Sequence, residues 1–411
     1  MRRSALRLVP ITIALALAPH AATAAESTSA GILPRSYIVV LADGIDAAGV
    51  ARAHVRAFDI DVTHVYRHAL DGYAAEMSSS VAGVLRRAPL VRWVERDRPV
   101  RITSTTLPTG IARVDAELSG TAAIDGLGGR VDADAAVLDT GVDLDHPDLN
   151  VIPNRGKNCV SSLLAPDDLN GHGTHVAGTI GALDDGSGVV GVAPGSRIWP
   201  VKVLSDTGTG LVSWVICGVD HVTAHASDVE VVNLSLVASG LDDGNCGNTN
   251  TDSFHKAICA SVAAGVTYAA AAGNSARDAY ATIPANYDEV IAVSALADFD
   301  GEPDGRGRAT CRADVDDTFA NFSNYGADVD LTAPGTCIRS TYFGGSYSTM
   351  SGTSMATPHV AGGVALYAAT DRTATPAMIR AWLIAHGSSD WVWPSQDKDK
   401  SQEPLLNVAA I

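Results

Sequence analysis

Aromatic side chains are scarce in this 411-residue chain, at 5%. Its core must therefore be built mainly from Ala, Val, Leu and Ile. Charge is also modest, at 18%, against 46% hydrophobic residues. That balance excludes intrinsic disorder, which needs low hydrophobicity and high charge. No apolar stretch reaches the ~18 residues that a membrane span requires. Positive charge is in deficit: 29 Lys and Arg face 46 Asp and Glu, a net of −17. Nucleic acids and anionic membranes select basic patches, so neither is expected as a partner. No CxxC pair occurs, which argues against a zinc knuckle, and no HExxH, which argues against a zinc protease. No oligomerisation signal stands out, so a monomer is expected.

What is present begins with a targeting signal. Arg2, Arg3 and Arg7 form a basic start, Leu8 to Ala18 is a short apolar run, and Ala22-Thr23-Ala24 is a small-residue cleavage site. Residues 1–25 are therefore read as a Sec-type signal peptide, and the protein as secreted. No Cys lies near that cleavage site, so a lipid anchor is not expected. Charge then divides the chain. Residues 1–103 carry 13 basic and 9 acidic residues, and residues 104–411 carry 16 and 37. All six cysteines (Cys159, Cys217, Cys246, Cys259, Cys311 and Cys337) follow residue 150. An even number in an exported chain points to disulfides, with fifteen possible pairings. The local guesses are Cys246 with Cys259 and Cys311 with Cys337, which leaves Cys159 with Cys217.

Hydrophobic patterning separates two folded units. Strands are expected at 36–41, 62–66, 72–76 and 91–95, with helices at 46–58 and 79–87. This strand–helix–strand–strand–helix–strand order is the ferredoxin-like pattern. A polar linker with Pro99 and Pro108 follows. Beyond it, apolar strands at 131–138, 201–204, 230–236, 266–271 and 290–295 are interspersed with helices at 173–183, 212–226 and 354–369. Strands buried on both faces and joined by helical crossovers make a doubly wound, mostly parallel α/β sheet with helices on both faces. Sites in such sheets lie at the carboxyl ends of the strands.

Three segments carry chemistry. Val137-Leu138-Asp139-Thr140-Gly141 ends an apolar strand in a carboxylate. Gly171-His172-Gly173-Thr174-His175 sets a histidine between glycines at a helix start. Ser351-Gly352-Thr353-Ser354-Met355-Ala356-Thr357-Pro358-His359 sets a serine at another helix start, with Pro358 early in the helix. A serine hydroxyl is a weak nucleophile at neutral pH. It needs an imidazole to take its proton and a carboxylate to hold the imidazole in one tautomer. A helix N-terminus offers free N–H groups to an oxyanion. Asn274, after the apolar run ending at Ala272, is a candidate second oxyanion donor.

These segments, in this order, resemble the subtilisin-like serine proteases (subtilases), over residues ~104 to ~370. The N-terminal unit resembles the inhibitor propeptide those enzymes carry. The resemblance implies an exported serine endopeptidase acting on protein or peptide substrates. It implies residues 26–103 as a folding aid and intramolecular inhibitor, 104–411 as the peptidase, and self-cleavage near Thr103–Ser104. Asp139 would orient, His172 act as base then acid, and Ser354 attack through an acyl-enzyme. Asn274 and the Ser354 N–H would hold the oxyanion. Gly208-Thr209-Gly210 and Ser235-Leu236-Val237 resemble the edge strands that pair with substrate backbone, with Val237 where the family usually has Gly. Thr282 would fall near the floor of the main specificity pocket. Structural Ca2+ is implied at Asp148 and Asp185, with carbonyls of Leu183, Ser187 and Val189, and Thr105 in place of the family's amide ligand.

The neighbouring polar residues have plainer readings. His175 is expected to be a buried hydrogen-bonding residue, and His359 a packing residue. Asp143 and Asp145 read as turn residues, and Ser351 and Thr353 as turn or capping residues. Trp391 and Trp393 read as core or a C-terminal latch. A catalytically dead binding protein is disfavoured because all four catalytic positions are intact. An esterase or lipase of the Gly-x-Ser-x-Gly type is disfavoured because that elbow is absent around Ser354.

Overall fold

The computed structural model describes residues 36–97, 106–303, 305–392 and 402–411. The signal segment, the expected cleavage point at Thr103–Ser104, Thr105 and Trp393 lie outside the described residues. The chain divides into two compact units, Met1–Arg101 and Ile102–Ile411.

The first unit comprises β1 (Ser36–Leu41), α1 (Ala47–Ala57), β2 (Asp61–Tyr66), β3 (Gly72–Glu76), α2 (Ser79–Leu85) and β4 (Val91–Arg96). Its sheet order is β2-β3-β1-β4, with every pair antiparallel. This is the expected ferredoxin-like arrangement. Alternation in β1 and β3 turns Tyr37, Val39, Tyr73 and Ala75 into a core under both helices. Ser78 caps α2 by accepting from Val81 N.

The second unit is built on a parallel sheet. Its strands are β5 (Asp134–Asp139), β6 (Lys157–Asn158), β7 (Arg197–Lys202), β8 (Val231–Leu234), β9 (Ala238–Ser239), β10 (Thr267–Ala271), β11 (Thr282–Ile283), β12 (Ile291–Ala297), β13 (Thr318–Phe319), β14 (Leu331–Pro334), β15 (Ile338–Tyr342) and β16 (Ser346–Met350). Its helices are α3 (Thr109–Arg113), α4 (His172–Gly181), α5 (Val212–Thr223), α6 (Ser253–Ala263), α7 (Thr353–Thr370) and α8 (Pro376–His386). The main sheet runs β13-β12-β10-β8-β5-β7-β6, with β14 also on β12. Only β13 runs antiparallel. After β7 the chain crosses to the other side of β5. The order therefore reverses at β5, and the carboxyl end of that strand is the switch point where such sheets form sites.

Two expected strands are displaced. The first begins at Asp134, not Val131. The second is β7, at Arg197–Lys202 rather than Val201–Leu204. Pro200 had masked it. It is tolerated because the side of β7 away from β5 is bridged only at Ile198 and at Val201–Lys202. Helix α7 is buried nearly all round, with Met355 to Leu366 inaccessible. Its small residues permit this: a Cβ on Gly362 would lie 2.5 Å from Val192 Cβ. Pro358 stands at the sixth position of α7 and removes the bond to the Ser354 carbonyl. Ser235 Oγ donates to that carbonyl instead, at 2.8 Å.

All six cysteines are paired, as Cys159–Cys217, Cys246–Cys259 and Cys311–Cys337. Trp391 is buried with Leu296 and Leu405, and its Nε1 donates to the Glu403 carbonyl, in the manner of a latch. At the far end, Ser119 Oγ and Thr121 N both donate to the Ile411 carbonyl.

Candidate active site

Asp139 is the last residue of β5 and is fully buried. Its Oδ1 accepts from Thr140 N at 2.7 Å and from His172 Nδ1 at 2.8 Å. That bond fixes the tautomer of His172, leaving Nε2 free to take a proton. His172 opens α4, and glycines make its placement possible. A Cβ on Gly171 would overlap the Tyr342 ring, and one on Gly173 would stand 2.0 Å from the Gly141 carbonyl. Burial pulls the His172 imidazolium down. The Asp139 charge and hydrogen bond, with a push from Asp168, more than offset this, so its pKa lies above the ordinary value of 6.5.

Ser354 is the second residue of α7. Its Oγ donates to the Ser235 carbonyl at 3.2 Å, so in this structure its hydrogen bond is with backbone and not with His172. Catalytic hydrogen bonds often form only once substrate is bound. Asn274 is oriented from behind. Its Oδ1 accepts from Thr353 N at 2.8 Å and from Thr353 Oγ1 at 3.1 Å. Both donors hold the oxygen side, which commits the Nδ2 donor to other partners. Thr353 is therefore more than the turn residue expected of it. Ser351 does serve the turn, its Oγ accepting from Cys337 N.

The cleft is lined by His172, by Gly208, Thr209 and Gly210 on one side, and by Ser235, Leu236 and Val237 on the other. Leu204, Val215 and Phe254 add an apolar wall. Neither expected edge segment belongs to a strand; β9 begins only at Ala238. The physical reason is that a lone edge has no ladder partner until an extended peptide pairs with it. Val237 is 51% exposed and faces open space rather than the core. Thr282 is buried in β11, within hydrogen-bonding distance of Asn324 Nδ2, and packs beside Gly273.

Sequence reasoning missed Asp168. It is buried, and Oδ1 accepts from Thr140 Oγ1, Asn170 N and Gly171 N, all at 2.9 Å. Its Oδ2 accepts from Thr174 N at 3.0 Å and Thr174 Oγ1 at 2.6 Å. Thr140 Oγ1 in turn accepts from Gly173 N. One carboxylate thus ties the start of α4 to the end of β5 and fixes His172 against Asp139. The available signal was an acidic residue in the turn before a helix whose cap, Gly171, has no side chain to offer. His175 and His359 are buried, as expected, and donate to the Ile338 and Met355 carbonyls. Burial pushes both down to about 4.

The expected cation loop lies against Asp148. Asp148 is 3% exposed; its Oδ2 accepts from Val189 N at 3.0 Å and Tyr347 OH at 3.1 Å. Its Oδ1 is buried with no hydrogen-bond partner. Its carbonyl accepts from Leu183 N. Asp185 Oδ1 accepts from Ser187 N, closing the loop tip. Burial pushes the Asp148 carboxyl up to about 7. An orphaned buried carboxylate oxygen on a residue bonded to the 183–189 loop fits a hard cation.

A carboxylate-oriented imidazole at the switch point of a parallel sheet, with a serine at a helix start and a fixed amide nearby, has the makings of a serine hydrolase. Residues 135–403 match the subtilase family, and residues 36–103 match peptidase inhibitor I9. The chain belongs to the subtilase family: it is a serine protease that carries its own inhibitor-type propeptide domain. It is 34% identical over 367 residues to a thermostable alkaline protease of Halalkalibacterium halodurans, covering 89% of this chain and 88% of that one. It is 36% identical over 311 residues to subtilisin E of Bacillus subtilis, covering 75% and 73%. A solved structure of a cold adapted subtilisin-like serine proteinase aligns with a TM-score of 0.55 at 32% identity, covering 79% of this chain and 94% of that one. The family, the fold class and the inhibitor-type unit read from the sequence are borne out. No described helix is long and apolar enough to cross a membrane.

Proposed function

We propose that the protein is a secreted, self-processing endopeptidase: residues 1–25 direct export, 26–103 inhibit and assist folding, and 104–411 form the monomeric enzyme. The hydrogen bond between Asp139 and His172 at the end of β5 carries this reading. Ser354 Oγ attacks the scissile carbonyl carbon as His172 Nε2 takes its proton. The resulting oxyanion is held by the Ser354 N–H and Asn274 Nδ2. The intermediate collapses, the C–N bond breaks, and His172 returns the proton to the leaving amine. Water, deprotonated by the same imidazole, then releases the acyl group. Gly208-Thr209-Gly210 and Ser235-Leu236-Val237 pair with the substrate backbone.

The test is a phosphonofluoridate that phosphonylates activated serines. One adduct on Ser354, with casein hydrolysis lost in proportion, supports the reading. Full labelling elsewhere with Ser354 untouched overturns it. Asn274→Ala is expected to lower kcat by ~10²–10³ with little change in KM, since the donor acts on charge that develops in the transition state. Steady-state kinetics on a peptide anilide measure this.

We propose further that Asp148 and Asp185, with the carbonyls of Leu183, Ser187 and Val189, hold a structural Ca2+. The buried, unpartnered Asp148 Oδ1 supports this. Calcium at about one hundred times its Kd is expected to stabilise the fold by ~2.7 kcal/mol. Chelation should therefore lower the thermal midpoint of the Ser354→Ala protein, and Asp148→Asn should remove the part of that calcium response that this site supplies.

A further inference from the structure

A second acidic centre follows β12. Asp298, Asp300 and Asp316 each bring one ligand atom within 4.8 Å of the others. Asp298 is fully buried and Asp316 is 3% exposed, whereas Asp300 reaches solvent. Carboxylates gathered so closely repel one another, more strongly where water is excluded.

The nearby guanidinium does not resolve this. Arg113 is buried, and its Nε donates to Asp317 Oδ1 at 2.8 Å. Its terminal nitrogen donates to the Asp390 side chain and carbonyl at 3.2 Å. It stands 3.5 Å from Asp298 Oδ2, an ion-pair distance without a hydrogen bond. Arg113 thus gives its hydrogen bonds to Asp317 and Asp390 and none to Asp298.

The remaining bonds leave one atom over. Asp298 Oδ1 accepts from Gly301 N at 2.9 Å. Asp316 accepts from Phe299 N at 2.8 Å and from Gly307 N at 2.7 Å. Asp298 Oδ2 has no hydrogen-bond partner, although the residue is completely buried. A buried carboxylate oxygen that receives no hydrogen bond, beside two further carboxylates, is what a cation's first ligand looks like without its cation. The three donors are hard oxygens on a turn-rich loop, with no nitrogen or sulfur among them. That set suits Ca2+, which accepts six to eight oxygens in irregular geometry and completes its shell with carbonyls and water.

We propose that Asp298, Asp300 and Asp316 form a second calcium site. It ties the end of β12 to the loop that Cys311 anchors to Cys337. It shares no ligand with the Asp148 site. The rival arrangement is a protonated Asp298: burial, then the Asp316 and Asp317 charges, push its carboxyl up to about 8.

The two are separated by counting bound calcium in the full-length Ser354→Ala chain by equilibrium dialysis. Asp298→Asn is expected to lose one ion per molecule, and Asp148→Asn a different one. Should the Asp148 reading fail, the parent count starts one lower and the Asp298→Asn loss remains. An Asp298→Asn protein with native circular dichroism and the parent count overturns the proposal. If that variant does not fold, exposed Asp300 decides: Asp300→Asn should weaken one calcium Kd at least tenfold with the circular dichroism unchanged. Unaltered calcium affinity in Asp300→Asn would then overturn it.

Discussion

Ser354→Ala is expected to lower kcat by about 10⁶-fold, the loss known for the relative subtilisin, and to leave residues 26–103 attached to the secreted chain. The reasoning is local. Only Ser354 Oγ sits at the start of α7 with its carbonyl engaged by Ser235. The neighbouring hydroxyls are occupied elsewhere, Thr353 on Asn274 and Ser351 on Cys337 N. Alanine removes the nucleophile without disturbing the pairs that hold the helix start. Intact mass of the secreted protein reads processing, and turnover of a peptide anilide after cutting by added wild-type enzyme reads kcat. A variant that matures at the wild-type rate without added enzyme would show that Ser354 does not perform the cut.

Asp139→Asn is expected to cost about 10⁴ in kcat, close to 5.5 kcal/mol of barrier. The amide is nearly isosteric, so β5 and α4 should keep their places. An amide can, however, donate to Nδ1 and stabilise the wrong tautomer of His172. The pH profile should move as well. His172 must be neutral to accept a proton. Its pKa lies above 6.5, so kcat/KM falls as pH drops through a midpoint above that value. Loss of the Asp139 charge leaves the opposing effect of burial, so the midpoint shifts to lower pH. Asp168→Asn should shift it the same way by less, because its charge is a smaller contribution. An acid limb unmoved in Asp139→Asn would remove His172 as the titrating base.

Strong local signals made much of this legible. An apolar strand ending in Asp139, a histidine between glycines and a serine before a run of small residues each sit where local chemistry alone predicts a strand end or a helix start. What was illegible depended on distant partners. Asp168 reads as an ordinary loop acid until β5 and α4 meet around it. Thr353 reads as a cap until Asn274 lies across from its hydroxyl. The β15–β16 hairpin escaped notice because its alternation is of Ser, Thr and Tyr, not of apolar residues. Its hydroxyls serve α4: Ser340 Oγ and Thr341 Oγ1 donate to the His175 and Thr174 carbonyls. The start of β7 was hidden by Pro200, which only the sparse pairing on one flank permits.

The Cys246–Cys259 bridge bears on how such an enzyme ages. A protease in concentrated solution is also a substrate for its own copies, and exposed loop tips are cut first. Asn248 to Thr251 are exposed, and they lie inside the ring this bridge closes. A nick there separates the chain on paper but not in the molecule, since both new ends stay fastened through sulfur. The damaged enzyme would keep α6 against the sheet and migrate as one species until reduced, when it would fall into two pieces. Wear at this rim would thus accumulate as silent breaks rather than as lost enzyme.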